Sequence, residues 1–279
     1  MNYSKISGFS DEIDKSIEKQ FTVLNKLGIS WFEPRGVDGK NISELSDDEV
    51  KNLKANMQKY GIKVSSIGSP IGKMFLSEDF DAHFETFKRV VKIAKELGTK
   101  YIRIFSFFHS YDERDTVIEK LKMMIEYAKE NDVILLHENE KEIYGDTIER
   151  CKDLMDTLCC DNFKAVFDPA NFVQCGQDTK KAYEVMKPYI EYMHIKDAQA
   201  KDGSVVPSGY GDGNLEYILT DLLKNGYSGF LSLEPHLGIF VGLAGLEMGD
   251  IMKDLPQRGE GTFTVAYKAL KNILDKIGE

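Results

Sequence analysis

Four side chains in this sequence have the types and spacing to do chemistry together. Glu138 closes the run "VILLHE", Asp168 closes "FKAVFD", His194 sits in "EYMHIKDA", and Glu234 follows "GFLSL". Each comes at the end of a short stretch rich in β-branched or aromatic residues, the composition of a buried strand. A buried strand that runs into a charged group needs a partner for that group. If the four ends converge, three carboxylates crowd around one imidazole and repel one another. A divalent cation resolves the repulsion. Hard oxygen ligands with one nitrogen suit Mn²⁺ first, with Mg²⁺, Co²⁺ or Zn²⁺ as alternatives. With no thiolate in the set, a structural zinc site does not fit.

The elements that must position these groups can be read along the chain. Eight segments read as strands: 5–10, 29–35, 63–70, 101–108, 133–140, 163–171, 191–198 and 229–236. Helical patterns lie between them. The first has Ile13, Ile17, Phe21 and Leu24 on one face and stops at Gly28. The second opens on Ser46, with Glu49 three residues on as a capping box, and closes on Gly61. Strand and helix alternating eight times is the pattern of parallel βαβ units. Eight such units close a (β/α)8 TIM barrel, which needs about 250 residues, so the 279 residues make one domain over 1–279. In such a barrel the strand ends meet at one mouth. An open doubly wound sheet would carry a glycine-rich turn after its first strand, and "SGFSDEID" is not one. Gly209, Gly211 and Gly213 lack the G-x-G-x-x-G spacing and read as a turn feeding a helix. The connections 201–213 and 237–261 are glycine-rich and belong on the catalytic face.

Composition limits the partners. A net charge of −10 and a pI near 5.2 argue against nucleic acid and membrane surfaces as partners. Cys151, Cys159, Cys160 and Cys175 form no CxxC pair and read as reduced thiols. The opening "MNYSKISGFSDEID" lacks a secretory signal pattern. No apolar run approaches the roughly 18 residues that span a bilayer. The expected location is the cytoplasm; the sequence leaves a homo-oligomer open.

The segments "LLHENE", "FDPANF", "MHIKDA", "LSLEPHL" and "VVPSGYGDGNLEYIL" resemble those of the xylose isomerase-like TIM barrels, specifically the sugar (phosphate) isomerase and epimerase group. The resemblance covers nearly the whole chain. It implies one divalent metal on Glu138, Asp168, His194 and Glu234. It also implies that Glu138 and Glu234 face a small sugar-like substrate from opposite sides and are the catalytic pair. That arrangement suits proton transfer next to a carbonyl, with the metal stabilising an ene-diolate. The implied activity is isomerisation or epimerisation. Dehydration with the same metal and base is the alternative, and a non-catalytic sugar-binding barrel the third reading. Ketose epimerases often carry a His three residues after the metal Asp, where this chain has Asn171, and an Arg six after the metal His, where it has Ala200. The related DNA-repair endonucleases hold three zincs with many histidines; five histidines and an acidic pI do not match them.

Further pocket residues follow from position. Asn171, Lys196, His236, His109, Glu140 and Arg35 are substrate-binding candidates, with Glu33, Ser69 and Asp197 also at strand ends. Alternation places Glu140 on the side of Glu138 and turns His137 and Asn139 toward the helical layer. Trp31 reads as packing, and Phe9, Phe105, Phe107 and Phe108 as an apolar wall.

Overall fold

The computed structural model describes residues 3–237 and 259–278. Most of the connection 237–261 lies outside them. Eight parallel strands form the centre: β1 (Ile6–Gly8), β2 (Trp31–Phe32), β3 (Lys63–Val64), β4 (Tyr101–Ile104), β5 (Ile134–Glu138), β6 (Phe163–Phe167), β7 (Ile190–Ile195) and β8 (Phe230–Leu233). The sheet order β1-β8-β7-β6-β5-β4 is continuous, and β2 pairs with β3. Backbone bonds close the two gaps. Glu33 N donates to Gly8 O, and Ile67 pairs with Ile102. The chain is an α/β TIM barrel, as the strand–helix alternation predicts.

β2 and β3 are shorter than the sequence suggests. Pro34 has no N–H to continue the ladder beyond Phe32, and its carbonyl accepts from Gly68 N instead. The sixth segment also ends early. Its strand stops at Phe167, and Asp168 caps a short helix, Pro169–Gln174, by accepting from Asn171 N at 3.0 Å.

The helices follow local signals. Ile17–Lys26 buries Ile17, Phe21 and Leu24 on one stripe. Asp47–Tyr60 begins with the reciprocal Ser46–Glu49 capping box and ends on Gly61 at φ 68°, a left-handed conformation that costs glycine little. Phe80–Leu97, Arg114–Glu130, Ile148–Leu158, Thr179–Met186, Leu215–Lys224 and Glu260–Gly278 complete the outer layer. Among the described residues, no helix is long and apolar enough to cross a membrane.

Strand alternation then decides what the barrel interior holds. Leu136, Val166, Tyr192 and Phe230 pack together inside it, with Trp31 against them. Two residues further along their strands, the same inward parity delivers Glu138, Asp168 and His194 to the mouth. On β8 the same parity runs from Phe230 through Ser232 to Glu234.

Candidate metal centre

The four strand-end groups meet. Ligand atoms of Glu138, Asp168, His194 and Glu234 all lie within 4.8 Å of one another, and all four residues are buried. Among the described residues, they form the one group of His, Cys, Asp or Glu close enough to share an ion. Ligands held about 2.1 Å from a single ion stand at most about 4.2 Å apart, so contraction by a fraction of an ångström suffices. The pattern of hydrogen bonds fits the same conclusion. Buried polar atoms nearly always have hydrogen-bond partners, whereas Glu138 Oε2 and Asp168 Oδ2 make no hydrogen bond and meet only ion-pair partners, Arg103 at 3.2 Å and Lys196 at 2.9 Å. His194 turns Nδ1 into the cluster, 3.0 Å from Glu138 Oε1 and 3.5 Å from Glu234 Oε2.

Neighbouring strands hold these groups in place. Asn139 clamps the backbone of Asp168, accepting from its N–H and donating to its carbonyl, both at 2.9 Å. Asn171 donates to Glu138 Oε1 at 3.2 Å and to Asn139 O at 2.9 Å, so its amide nitrogen is spent on positioning Glu138. Lys196 Nζ bridges Asp168 (2.9 Å) and Glu234 (3.1 Å). Arg35 Nη1 lies 3.4 Å from Glu234, while its Nε pairs with Asp11 and its Nη2 with Glu12. His236 Nε2 stands 3.4 Å from Glu234 Oε1. Strand parity is not what puts it there: β8 has ended, and His236 turns back at φ 41°.

The remaining candidates lie further out. Glu140 pairs with Lys73 at 3.2 Å on the rim. His109 is exposed and packs with Phe75 and Tyr111; no hydrogen bond or ion pair links it to the four buried groups. The Asp197 carboxylate is consumed by its own loop, accepting from the backbone of Ala198, Gly209, Gly211 and Gly213. This explains those glycines: a Cβ on Gly211 would fall 2.4 Å from Asp197 Oδ1. His137 faces the helical layer, with Nε2 2.9 Å from Ser106 Oγ.

Sequence reasoning missed Arg103. Its Nη1 lies 3.2 Å from Glu138 Oε2 and 4.0 Å from Glu234 Oε1, and its guanidinium sits over the rings of Phe9 (5.0 Å) and Phe105 (4.8 Å). The signal was a charge inside "YIRIF", on the inward parity of Tyr101 and Phe105. Glu12 was missed too. Burial pushes its carboxyl up to about 7, against the pull of Arg35.

In the metal-free protein, burial opposes every charge at the centre and neighbours decide the outcome. Burial raises Glu138, but His194 beside it prevails and brings it to about 2. Burial raises Glu234, and Lys196 foremost holds it well below the usual range. At Asp168 burial wins and lifts the carboxyl to about 7. Burial lowers His194, yet Glu138 and Glu33 carry it well above an ordinary imidazole. A divalent cation would displace the proton that His194 then holds.

Comparison with known proteins agrees with this architecture. The model of the xylose isomerase-like TIM barrel family matches residues 21–248. The chain belongs to that family. A curated relative, a 3-dehydroshikimate dehydratase from Bacillus anthracis, is 24% identical over 188 residues; the matched stretch covers 66% of each chain. Among solved structures, the IOLI protein with a bound zinc atom superposes with a TM-score of 0.77 at 20% identity, covering 98% of this chain and 99% of that one. A D-tagatose 3-epimerase-like protein gives 0.75 at 15% identity, with 98% of each chain covered. These structural likenesses show the fold.

Proposed function

We propose that this chain is a single-domain, metal-dependent isomerase or epimerase of a sugar or related hydroxy-carbonyl compound. The observation that carries the reading is the pairing of Glu138 and Glu234. They come from β5 and the end of β8, yet both reach the same His194 nitrogen, at 3.0 and 3.5 Å. A divalent cation on Glu138, Asp168, His194 and Glu234 would supply Lewis acidity at a carbonyl oxygen. Mn²⁺ is the first choice, with Mg²⁺, Co²⁺ and Zn²⁺ as alternatives. Glu138 and Glu234 are both ionised, so either can take a proton from the carbon beside that carbonyl. The other face of the substrate then meets the second carboxylate, which returns a proton once it has acquired one.

The surrounding cations support the same chemistry. Arg103 and Lys196 keep the glutamates in place and offer N–H donors to an oxygen on which negative charge develops. Asn171 orients Glu138. Arg35 and His236 stand beside Glu234, where they would meet the substrate, with Glu140 and His109 further out on the rim.

Dehydration is the second reading. The curated relative is a dehydratase, and Lys196 places a proton-bearing group 3.1 Å from Glu234. Elimination needs a base for the C–H and an acid for the departing hydroxyl, and this pair has both types.

The test is proton NMR in D₂O of the Mg²⁺-loaded protein with ketoses, ketose phosphates, inososes, hydroxypyruvate and 3-dehydroshikimate. Isomerisation or epimerisation by proton transfer gives solvent deuterium next to the carbonyl at unchanged composition. Loss of water identifies the dehydratase. Turnover with full retention of substrate hydrogen indicates a hydride shift and rejects the proton-transfer mechanism. Metal binding without turnover of any compound favours a sugar-binding barrel.

A further inference from the structure

Glu33 follows β2 and is fully buried beneath the mouth of the barrel. A buried carboxylate without good partners is costly. Its Oε2 accepts from Ser232 Oγ at 2.7 Å and from Tyr192 OH at 2.9 Å, and it stands 3.4 Å from His194 Nε2. Its Oε1 has no hydrogen bond, and neither has His194 Nε2. The two faces of the His194 ring therefore differ. Nδ1 looks into the cluster of Glu138, Asp168 and Glu234, whereas Nε2 looks at Glu33. The edge-on rings of Phe9, at 5.2 Å, and Tyr192, at 5.9 Å, flank the imidazole.

We propose that Glu33 is a positioning residue for the metal centre, holding the proton of neutral His194 on Nε2 so that the Nδ1 lone pair faces the cluster. The inference rests on the metal-binding reading above. A neutral imidazole has one N–H and one lone pair, and the hydrogen bond at one nitrogen selects which is which. With the proton on Nδ1, the ring would aim an N–H where a ligand is needed. With Glu33 opposite Nε2, the ligating tautomer is the stable one, and the anion makes Nδ1 a stronger donor. The 3.4 Å separation becomes a hydrogen bond after a shift of a few tenths of an ångström. Ser232 and Tyr192 fix Oε2 from their own strands, so Glu33 has little freedom to turn away.

The test compares wild type with Glu33→Gln, Ser232→Ala and Tyr192→Phe. Each protein is stripped with chelator and titrated with Zn²⁺ against a chromophoric competitor. The histidine tautomer is read from ¹⁵N side-chain shifts of the Zn²⁺-loaded protein, and folding from far-UV circular dichroism. Glu33→Gln should weaken Zn²⁺ binding by about 10- to 100-fold and lose the fixed Nε2–H signature at an unchanged fold. Ser232→Ala and Tyr192→Phe, which loosen the same oxygen, should weaken binding by smaller factors. Wild-type affinity and tautomer in Glu33→Gln overturn the proposal. If that variant does not fold, wild-type affinity in both hydroxyl variants overturns it instead. Failure of the wild type to bind Zn²⁺, Mn²⁺ or Mg²⁺ overturns the metal reading itself, a result separate from equal binding by wild type and variant.

Discussion

Arg103 and Glu138 face each other at 3.2 Å across adjacent strands, both sealed from solvent. The guanidinium has little room to leave, because the rings of Phe9 and Phe105 lie against it. Removing Arg103 takes away the cation paired with Glu138 Oε2 and leaves that oxygen buried and unpaired, with His194 and Asn171 still on Oε1. Arg103→Met should therefore destabilise the chelator-treated protein by about 3–5 kcal/mol, read from urea unfolding. The loss should shrink when a divalent cation saturates the site and replaces the missing positive charge. Arg103→Lys should rescue in part, restoring the charge but not the planar group that lies against those rings. Equal stability of Arg103→Met and wild type without metal would count against the pair's role.

Glu138→Gln keeps the shape and the hydrogen bond from Asn171 but removes the base. Turnover of a substrate found by the NMR screen should fall by about 10²–10⁴-fold, with the circular dichroism spectrum unchanged. Retained activity would remove Glu138 from the catalytic pair.

Metal removal should lower thermal stability. An ion that binds only the folded state stabilises it by about 2.7 kcal/mol at a hundred times its Kd, a shift of about 5 °C for a chain of this size. Scanning calorimetry with and without chelator measures it. His194→Ala should melt at the same temperature in both conditions. A metal-dependent shift in that variant would place the ion elsewhere.

Buried His137 gives a pH dependence of its own. Burial lowers its pKa to about 4, below the unfolded value of 6.5. The unfolded chain therefore binds more protons between those values, and stability falls as pH drops from 6.5 toward 4. The loss attributable to this residue is about 3 kcal/mol at its fullest. Denaturant unfolding of wild type and His137→Asn across this window checks it: the variant should show a shallower decline. Parallel curves would show that His137 does not titrate as its burial implies.

The four polar residues of "HENE" show how far the sequence reaches. Alternation along β5 separates Glu138 from His137, and parallel strand ends account for the meeting of Glu138 with Asp168, His194 and Glu234. The same rule assigns Glu140 to the rim. It turns Asn139 toward the helical layer with His137, but the Asn139 side chain instead locks the backbone of Asp168 on the next strand. That contact depends on strand register, which one sequence does not encode locally.

The sequence by itself determined the barrel and which four polar strand ends meet at its mouth, because strand–helix alternation and inward strand parity are local patterns. Lys196, Arg35 and Glu33 were legible as strand-end candidates, but only the tertiary structure decided what each of them touches and brought in Arg103 and Glu12. Arg103 and Glu12 are single charged residues far apart in the chain, and such residues are solvated far more often than they are buried. Pairing of adjacent strands brings Arg103 of β4 against Glu138 of β5, and closure of the barrel brings Glu33 beyond β2 beneath His194 of β7. In that enclosed space, removal of water makes each of those separations matter.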